Sequence, residues 1–249
     1  GLEQGKVKVS DHFNCPGFRI VEDRRIRCHK TTGHGSETFR EGIMNSCNPV
    51  FMEVGARVGV DGMYDMFQKL GLFEKTGIDL PGEASSIMHK KKNVKAVELA
   101  TMSFGQSIQI TPLQLLRAAS AVVNGGKLIT PHFGVRVVSA DGEEEKTLKY
   151  TEEKGVIQKE TSETMRELLE AVVSEGSGKN CKIEGFSIGG KTATSEKLPR
   201  GNGKYISSFL GFAKAENPTV MGIVLIDEPE GTYYGGTIAA PVMRSVFQV

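Results

Sequence analysis

Two short polar motifs in this 249-residue chain could do chemistry. Residues 46–48 read Ser-Cys-Asn, and residues 191–194 read Lys-Thr-Ala-Thr. A hydroxyl near an amide can pass a proton and hydrogen-bond a peptide, and a lysine beside hydroxyls can bind a carboxylate. In isolation each motif is weak, because the first could simply cap helices and the second could lie on an ordinary edge strand. Their meaning depends on whether folding brings them to one cleft.

A third motif, at residues 185–192, matches the phosphate-binding loop pattern GxxxxGK[ST]. Such a loop needs a helix directly after it, because the N-terminal amides of that helix help to hold the phosphates. Here Pro199 and two glycines follow closely, and these residues do not favour a helix. We therefore predict a strand, with the side chains of Lys191 and Ala193 on one face and two threonines on the other.

The sequence does not decide whether the four cysteines form disulfides or remain free thiols. Cys15, Cys28, Cys47 and Cys181 allow three full pairings, among which the sequence cannot choose, and four free buried thiols are a further alternative. No Cys-x-x-Cys occurs, and no group of cysteine and histidine has the local spacing of a zinc site. We therefore expect neither a metal nor another cofactor.

Charge and hydropathy narrow the classes of partner. The chain has 31 basic and 30 acidic residues, which argues against nucleic acid and against an anionic membrane surface. No apolar run approaches the roughly 20 residues that span a bilayer, and no signal peptide opens the chain. The 249 residues are expected to be soluble.

The first helices are predicted from capping residues. Thr38 and Glu41 form a capping box for a helix that runs to Met44. Asn48-Pro49 is expected to cap the next helix, with proline in its first turn. The Ser-Cys-Asn motif would then lie at a joint between two helices, which can present polar side chains rigidly. Residues 1–36 look irregular.

Further elements follow from periodicity and turn signals. Helices are expected at 61–70, 111–124 and 165–175, a loop at 74–95, and short strands across 127–160 around a turn at Asp141-Gly142. Residues 188–195, 205–213 and 220–227 read as three strands, whose short links favour antiparallel pairing. The predicted fold is α+β in one partial domain over 1–249, with a mainly helical lobe at 1–150 and a helix plus antiparallel sheet at 151–249.

Longer stretches of sequence resemble the transpeptidase domain of class B penicillin-binding proteins. They are GHGSETFREGIMNSCNPVFMEVGARVG at 33–59, SFGQSIQITPLQLLRAASAVVNGGKLITPHF at 103–133, SSFLGFAKAENP at 207–218 and YYGGTIAAPVMR at 233–244. The cysteine-bearing start, FNCPGFRIVEDRRIRCHK, is most similar to Gram-positive members, including sporulation-type ones. The family's motif set is Ser-x-x-Lys, Ser-x-Asn and Lys-Thr-Gly. The resemblance implies the fold shared with serine β-lactamases, an antiparallel sheet with helices packed on it plus a helical lobe.

The resemblance also implies a function. The family transfers acyl groups on peptidoglycan stem peptides that end in D-Ala-D-Ala: an activated serine attacks, D-Ala leaves, and an amine of a neighbouring strand takes the acyl group. β-Lactam antibiotics mimic the dipeptide and stall at the acyl-enzyme. Expected partners are the stem peptide, these drugs and other cell-wall synthesis proteins. The expected location is the extracytoplasmic face of the bacterial membrane, through an N-terminal anchor that the chain lacks.

Residue roles follow from the same resemblance. Ser46 would relay a proton toward the leaving nitrogen, helped by Lys191, and Asn48 would hydrogen-bond the substrate's backbone. Thr192 and Thr194 would bind the terminal carboxylate. The backbone N–H of Thr194 would be one of two donors to the oxyanion.

Two features depart from the family pattern. No serine in the chain is followed by lysine three positions on, so the resemblance implies that the nucleophile, its lysine base and the first strands of the sheet lie upstream of Gly1. The chain alone is then expected to be inactive. Ala193 stands where the family usually has glycine, and its additional methyl group is expected to be tolerated.

Cysteine pairing near the site is an additional hypothesis. The family works outside the cytoplasm, where disulfides form. A Cys28–Cys47 bridge would displace or lock Ser46 and Asn48 and would act as a redox switch. A structural Cys15–Cys28 bridge and free thiols remain the alternatives.

Two other protein classes share these motifs. A non-catalytic sensor or binding module with the penicillin-binding fold would keep the same residues but would lack Ser-x-x-Lys upstream. A serine β-lactamase would hydrolyse its acyl-enzyme, although the long similarity to class B sequences argues against it.

Overall fold

The computed structural model describes residues 1–199 and 201–249. Its strands are β1 His12–Cys15, β2 Phe18–Val21, β3 Arg24–Arg27, β4 Gly35–Thr38, β5 Lys127–Ile129, β6 Arg136–Val138, β7 Glu144–Thr147, β8 Glu152–Lys154, β9 Ile188–Glu196, β10 Tyr205–Ala213 and β11 Val220–Asp227. Its helices are α1 Phe39–Met44, α2 Asn48–Lys69, α3 Ala96–Ser103, α4 Pro112–Val123, α5 Lys159–Ser174 and α6 Gly235–Phe247. The predicted α+β class is confirmed.

A three-stranded antiparallel sheet in the order β11–β10–β9 organises the second half of the chain. The predicted bounds of β10 and β11 are confirmed, and β9 runs one residue further than predicted, to Glu196. Gly189 and Gly190, just before Lys191, were expected to admit a backbone or a ligand. They instead admit aromatic rings, because a Cβ atom on either would lie within 2.5 Å of the ring of Phe212 or Phe209.

Helix α5 joins two hydrophobic cores. Leu168 and Val172 pack into a first core with residues of β1, α1 and the start of α2. The next residue, Val173, packs into a second core beneath the sheet, which includes Phe209 of β10 and Met243 of α6. Because neighbouring turns of one helix belong to both cores, α5 fixes the position of the α1–α2 joint relative to the sheet.

Residues 1–36 are not irregular, which corrects the sequence-based expectation. They contain β1, β2, β3 and the start of β4, paired as β1–β4 and β2–β3, both antiparallel. Each of these strands has only four residues, so no run is long enough to show a clear alternation of apolar and polar residues.

Helix α2 differs from expectation at its start. The residue at its N-cap is Cys47, not Asn48, and no side chain forms a capping hydrogen bond there. Asn48 occupies the first helical position instead. Gly59 has φ of +74° and breaks the helix into two segments, in agreement with the separate helices expected before and after that point.

Two helices, α3 and α6, were not predicted. Helix α6 contains two glycines at its start and an internal Pro241, which are poor helix formers. It is held by packing, since Ala239, Ala240 and Met243 are buried against the sheet. Helix α3 lacks a side-chain cap of the Ser or Thr type. Strands β1–β7 lie within residues 1–150 beside four helices. None of the helices in the described ranges is long and apolar enough to cross a membrane.

Candidate active site

The two polar motifs meet in space. The ammonium of Lys191, on β9, donates a hydrogen bond of 2.8 Å to the hydroxyl of Ser46, at the α1–α2 joint. The same nitrogen donates a second bond of 3.1 Å to the carbonyl of Thr192. The spatial meeting that the function hypothesis requires is therefore present, between residues 145 positions apart.

Local structure explains how Ser46 is presented. Helix α1 ends at Met44, and Asn45 forms its C-cap. Ser46 then adopts φ of +54°, an uncommon value for a residue with a side chain. This turn directs the chain into α2 and leaves the hydroxyl of Ser46 on the side that faces β9. Backbone strain of this kind is often kept at functional sites because it orients a reacting group.

Burial changes the ionisation of Lys191. Removal of its ammonium from water lowers the pKa from 10.5 to about 8. The side chain is therefore mostly charged at neutral pH but gives up its proton far more easily than a surface lysine. A lysine with this pKa can supply positive potential and can also exchange protons through Ser46.

The two threonines of the motif also line the cleft beside Lys191. The hydroxyl of Thr192 lies 3.2 Å from that of Ser177, which follows α5. The hydroxyl oxygen of Thr194 accepts a 3.0 Å bond from the N–H of Gly235 at the start of α6. Since Thr194 accepts there, its own O–H proton is free to be donated to a ligand.

Gly235 permits a close approach of α6 to the sheet. A Cβ atom at this position would lie 2.3 Å from the carbonyl oxygens of both Ala193 and Ser208. Nearby, Asn180 donates a 2.7 Å bond to the carbonyl of Gly236. Ser177, Asn180 and Gly235 were not predicted as site residues, and their place beside β9 reveals them. The signal in the sequence was the Tyr-Tyr-Gly-Gly stretch within residues 233–244.

An open cleft of about 940 Å³ connects these groups. Asn48 lines it and donates a 3.0 Å bond to the carbonyl of Arg27. His29 lies on the same wall, with Nε2 2.9 Å from the carbonyl of Asn45. The rest of the lining comes from residues 27, 28, 34, 45, 46, 51, 103–106, 175–177, 179–180, 191–195 and 234–237. All the site residues predicted from the two motifs thus border one cavity.

The sequence of the whole chain matches a known protein family. The family described as "Penicillin binding protein transpeptidase domain" matches residues 1–248. The chain belongs to this family. The match covers nearly the entire chain.

Individual relatives agree with this assignment. Stage V sporulation protein D of Bacillus subtilis is 41% identical over 255 residues, covering 99% of this chain and 39% of that protein. "Probable peptidoglycan D,D-transpeptidase PenA" of Neisseria flavescens is 32% identical, covering 98% of this chain and 59% of that protein. The chain thus spans between two fifths and three fifths of these curated relatives.

A solved structure supports the fold directly. Penicillin-binding protein 3 of Mycobacterium tuberculosis, in complex with aztreonam, superposes with a TM-score of 0.88 at 26% identity. The superposition covers 98% of this transpeptidase domain and 58% of that chain. The penicillin-binding fold expected from the resemblance is confirmed.

The nucleotide-binding alternative is excluded by local structure. Strand β9 continues through Thr192 to Glu196, and the next helix among the described residues is α6, which begins only at Gly235. Two threonines do precede a lysine by three positions, Thr151 with Lys154 and Thr194 with Lys197. They lie at β8 and on β9, not at the start of a helix, so neither forms the family's Ser-x-x-Lys pair.

The candidate redox cysteines adjoin the cleft. All four cysteines are free thiols. A hydrogen bond between the Cys28 and Cys47 thiols lowers the pKa of Cys28 and raises that of Cys47. Cys181 lies apart in the second core, where burial raises its pKa to about 12. The Cys28–Cys47 bridge therefore stays a prediction, now between thiols that are in contact.

Proposed function

We propose that this transpeptidase domain supplies the substrate-binding and proton-relay half of a peptidoglycan D,D-transpeptidase. The observation that carries the proposal is the 2.8 Å hydrogen bond from Lys191 to Ser46 across the cleft. The substrate would be a stem peptide that ends in D-Ala-D-Ala, and a β-lactam would occupy the same cleft. Stem peptides and partner wall-synthesis proteins would be met on the extracytoplasmic face of the membrane.

The geometry supports a distinct role for each side of the cleft. Ser46 and Lys191 form a chain along which a proton can reach the leaving nitrogen. Thr192 and Thr194, one and three positions after the lysine, bring two hydroxyls to the same cleft as its ammonium, which suits a carboxylate. Asn48 contacts the cleft from the other wall and can exchange its bond to Arg27 for one to the substrate backbone.

The nucleophile is proposed to come from a Ser-x-x-Lys segment outside these residues, because no serine here precedes a lysine by three positions. Loss of a serine nucleophile typically costs about a million-fold in rate. The 249-residue chain alone should therefore form no acyl-enzyme.

Labelling with a fluorescent penicillin tests the proposal. A protein in which the Ser-x-x-Lys segment precedes this chain should become covalently labelled, and the chain alone should not. Lys191→Ala should slow labelling by about 10²–10⁴-fold, whereas Lys182→Ala, at an exposed position, should leave it unchanged. Labelling of the chain alone, or equal labelling by the two variants, would refute these roles.

The same preparation separates the alternative classes. A serine β-lactamase would release hydrolysed drug with many turnovers, and a non-catalytic sensor would bind without covalent labelling. The proposal expects a stable acyl-enzyme with little turnover.

A further inference from the structure

One wall of the cleft carries an arginine whose charge is unpaired in the described part of the chain. Arg27 ends β3 and lines the cleft. Its backbone carbonyl accepts the bond from Asn48, but its guanidinium pairs with no described side chain. We propose that Arg27 selects the substrate by binding a free carboxylate on the side chain of the stem-peptide residue that precedes D-Ala-D-Ala. This inference rests on the proposed function, because it names the substrate class of the same cleft.

The β2–β3 hairpin fixes the backbone of Arg27. Arg27 pairs in register with Phe18 of β2. The next residue, Cys28, donates a 2.8 Å backbone bond to the carbonyl of Gly17. The backbone of Arg27 is thus held by its strand partner on one side and by the 3.0 Å bond from Asn48 on the other. The side chain therefore enters the cleft from a fixed point, which specific recognition requires.

The neighbouring arginines of β3 are used elsewhere. Arg24 lies 3.6 Å from a carboxylate oxygen of Asp23, and the guanidinium of Arg25 lies 3.8 Å from the centre of the Phe18 ring. Of the three arginines in this four-residue strand, Arg27 is the one that lines the cleft. Its position, and not the basic character of the hairpin as a whole, distinguishes it.

The cleft contains more positive than negative charge. Among the described residues that line it, Arg27, Lys179 and Lys191 are basic and one residue, Glu175, is acidic. Glu175 already accepts a 2.7 Å bond from Arg40. A concave site lined by one sign of charge concentrates the electrostatic potential. The cleft should therefore attract an anionic group and disfavour a purely cationic one.

Two of these basic residues would meet different ends of the substrate. Lys179 lies two positions after Ser177, on the side where Thr192 is proposed to bind the terminal carboxylate. Every D-Ala-D-Ala peptide has that carboxylate, so Lys179 cannot distinguish one stem peptide from another. Arg27 instead adjoins Asn48, which is proposed to bind the peptide backbone before the scissile bond. The side chain that precedes D-Ala-D-Ala would thus lie near Arg27.

Stem peptides can differ in charge at that residue. A diaminopimelate side chain ends in a carboxylate as well as an amine, its amidated form ends in a carboxamide and an amine, and a lysine side chain ends in an amine alone. A guanidinium donates two parallel N–H bonds to a carboxylate, and such charge-assisted bonds are about twice as strong as neutral ones. It has no acceptor for an amine. Arg27 therefore favours the diaminopimelate type with its carboxylate free.

The sequence alone did not mark Arg27 as a site residue. The surrounding stretch FRIVEDRRIRCHK is rich in charge of both signs, and such a stretch is typical of a solvated surface. Only the bond from Asn48, 21 positions further on, shows that the end of β3 borders the cleft.

Kinetics with two matched peptides test the selection. The protein is one in which a Ser-x-x-Lys segment precedes this chain. The substrates are pentapeptides ending in D-Ala-D-Ala that contain diaminopimelate and differ only in whether its side-chain carboxylate is free or is a carboxamide. With a small amine as acceptor, each acyl transfer breaks one peptide bond, forms one new amide and releases one D-alanine, which is measured. The free carboxylate should raise kcat/KM about tenfold over the carboxamide.

Variants at one position separate charge from shape. Arg27→Ala should abolish the preference, and Arg27→Lys should keep part of it, because the charge remains without the two parallel donors. Arg27→Glu should reverse it in favour of the carboxamide. Arg24→Ala is the matched control on the same strand and should keep the full preference. All four substitutions leave the backbone carbonyl that Asn48 contacts, and circular dichroism checks that each variant is folded.

The outcomes distinguish this inference from the proposed function. Equal kcat/KM for the two peptides in unmodified protein would overturn the selection, and so would a preference that persists in Arg27→Ala. A preference lost equally in Arg24→Ala would assign it to the general charge of the hairpin and would also overturn the role of Arg27. In each of these cases turnover of both peptides leaves the proposed function standing. Release of D-alanine from neither peptide would refute the proposed function, and this inference with it.

Discussion

The cleft has two walls of opposite construction. The sheet region, residues 151–249, supplies Lys191 from the nine-residue strand β9 of a sheet whose other strands have nine and eight residues. The cysteine region, residues 1–47, supplies Ser46 from a strained turn beside four-residue strands. The first wall is held by the core beneath the sheet. The second is held by tight turns and by the first core, to which Cys15, Cys28 and Cys47 themselves belong. The catalytic contact is formed where a rigid element meets a wall whose order depends on a few special positions.

The largest expected effect tests the contact between the walls. Ser46→Ala and Ser46→Gly both remove the hydroxyl that Lys191 contacts. In a protein that includes Ser-x-x-Lys, each should slow acylation by a penicillin by about 10²–10⁴-fold. The glycine variant also relieves the φ of +54°, so it should unfold at a higher temperature than the alanine variant.

These two variants separate chemistry from strain. Equal slowing with different stabilities would place the effect on the hydroxyl. If Ser46→Gly acylated at the unmodified rate, the proton relay through Ser46 would be wrong.

The sheet region should be sensitive to a core truncation. Phe209 is fully buried, so Phe209→Ala should lower the free energy of unfolding by about 3–5 kcal/mol. Phe133→Ala provides the control, because that ring is 72% exposed and its loss should change stability by about 0.5 kcal/mol or less. Urea unfolding followed by circular dichroism measures both. A loss at Phe209 no larger than that at Phe133 would mean that the second core does not carry the fold.

The cysteine region should instead be sensitive to single glycines. Gly17 has φ of +95°, and a Cβ atom there would lie 2.1 Å from the carbonyl oxygen of Thr31. Gly17→Ala should therefore cost about 3 kcal/mol or more in unfolding free energy. Gly5 has φ of +62° with nothing within 4 Å of a Cβ atom, so Gly5→Ala should cost only about 1–2 kcal/mol. Equal losses at the two positions would show that the close contact between Gly17 and Thr31 does not constrain the backbone.

The same contrast explains how much the sequence could predict. Strands β10 and β11 were predicted to the residue, because eight or nine residues of continuous β-type sequence bounded by turns give a strong local signal. The four short strands near the cysteines were missed, because four residues cannot show a period and because the β1–β4 pairing joins segments that are distant in the sequence. The Ser46–Lys191 contact was expected only through family resemblance, since no local pattern encodes a separation of 145 residues.

The pH dependence of the acylation rate should report the ionisation of Lys191, which lies on the sheet wall of the cleft. Its pKa is lowered to about 8 by burial, so the lysine is charged below that pH and neutral above it. If the charged form assists acylation, the rate should fall about tenfold per pH unit above about 8. Folding has the opposite trend: burial penalises the charged lysine below about 8, and this penalty disappears as pH rises to 10.5.

An arginine variant tests the assignment of that profile. Guanidinium keeps its proton throughout this pH range, so Lys191→Arg should show a lower rate without the alkaline fall. If the fall persisted unchanged in Lys191→Arg, another group would be responsible for it.

The smallest expected effect concerns an exposed ion pair that joins the two walls of the cleft. Arg40 of α1 donates a 2.7 Å bond to Glu175 at the end of α5, with both side chains about half exposed. A double-mutant cycle with Arg40→Ala and Glu175→Ala should give a coupling energy of about 0.5 kcal/mol that shrinks in high salt. The cores and the Ser46–Lys191 contact would then determine how the walls meet, with this ion pair contributing little. A coupling above about 2 kcal/mol that persisted in salt would instead make this ion pair a principal link between the two regions.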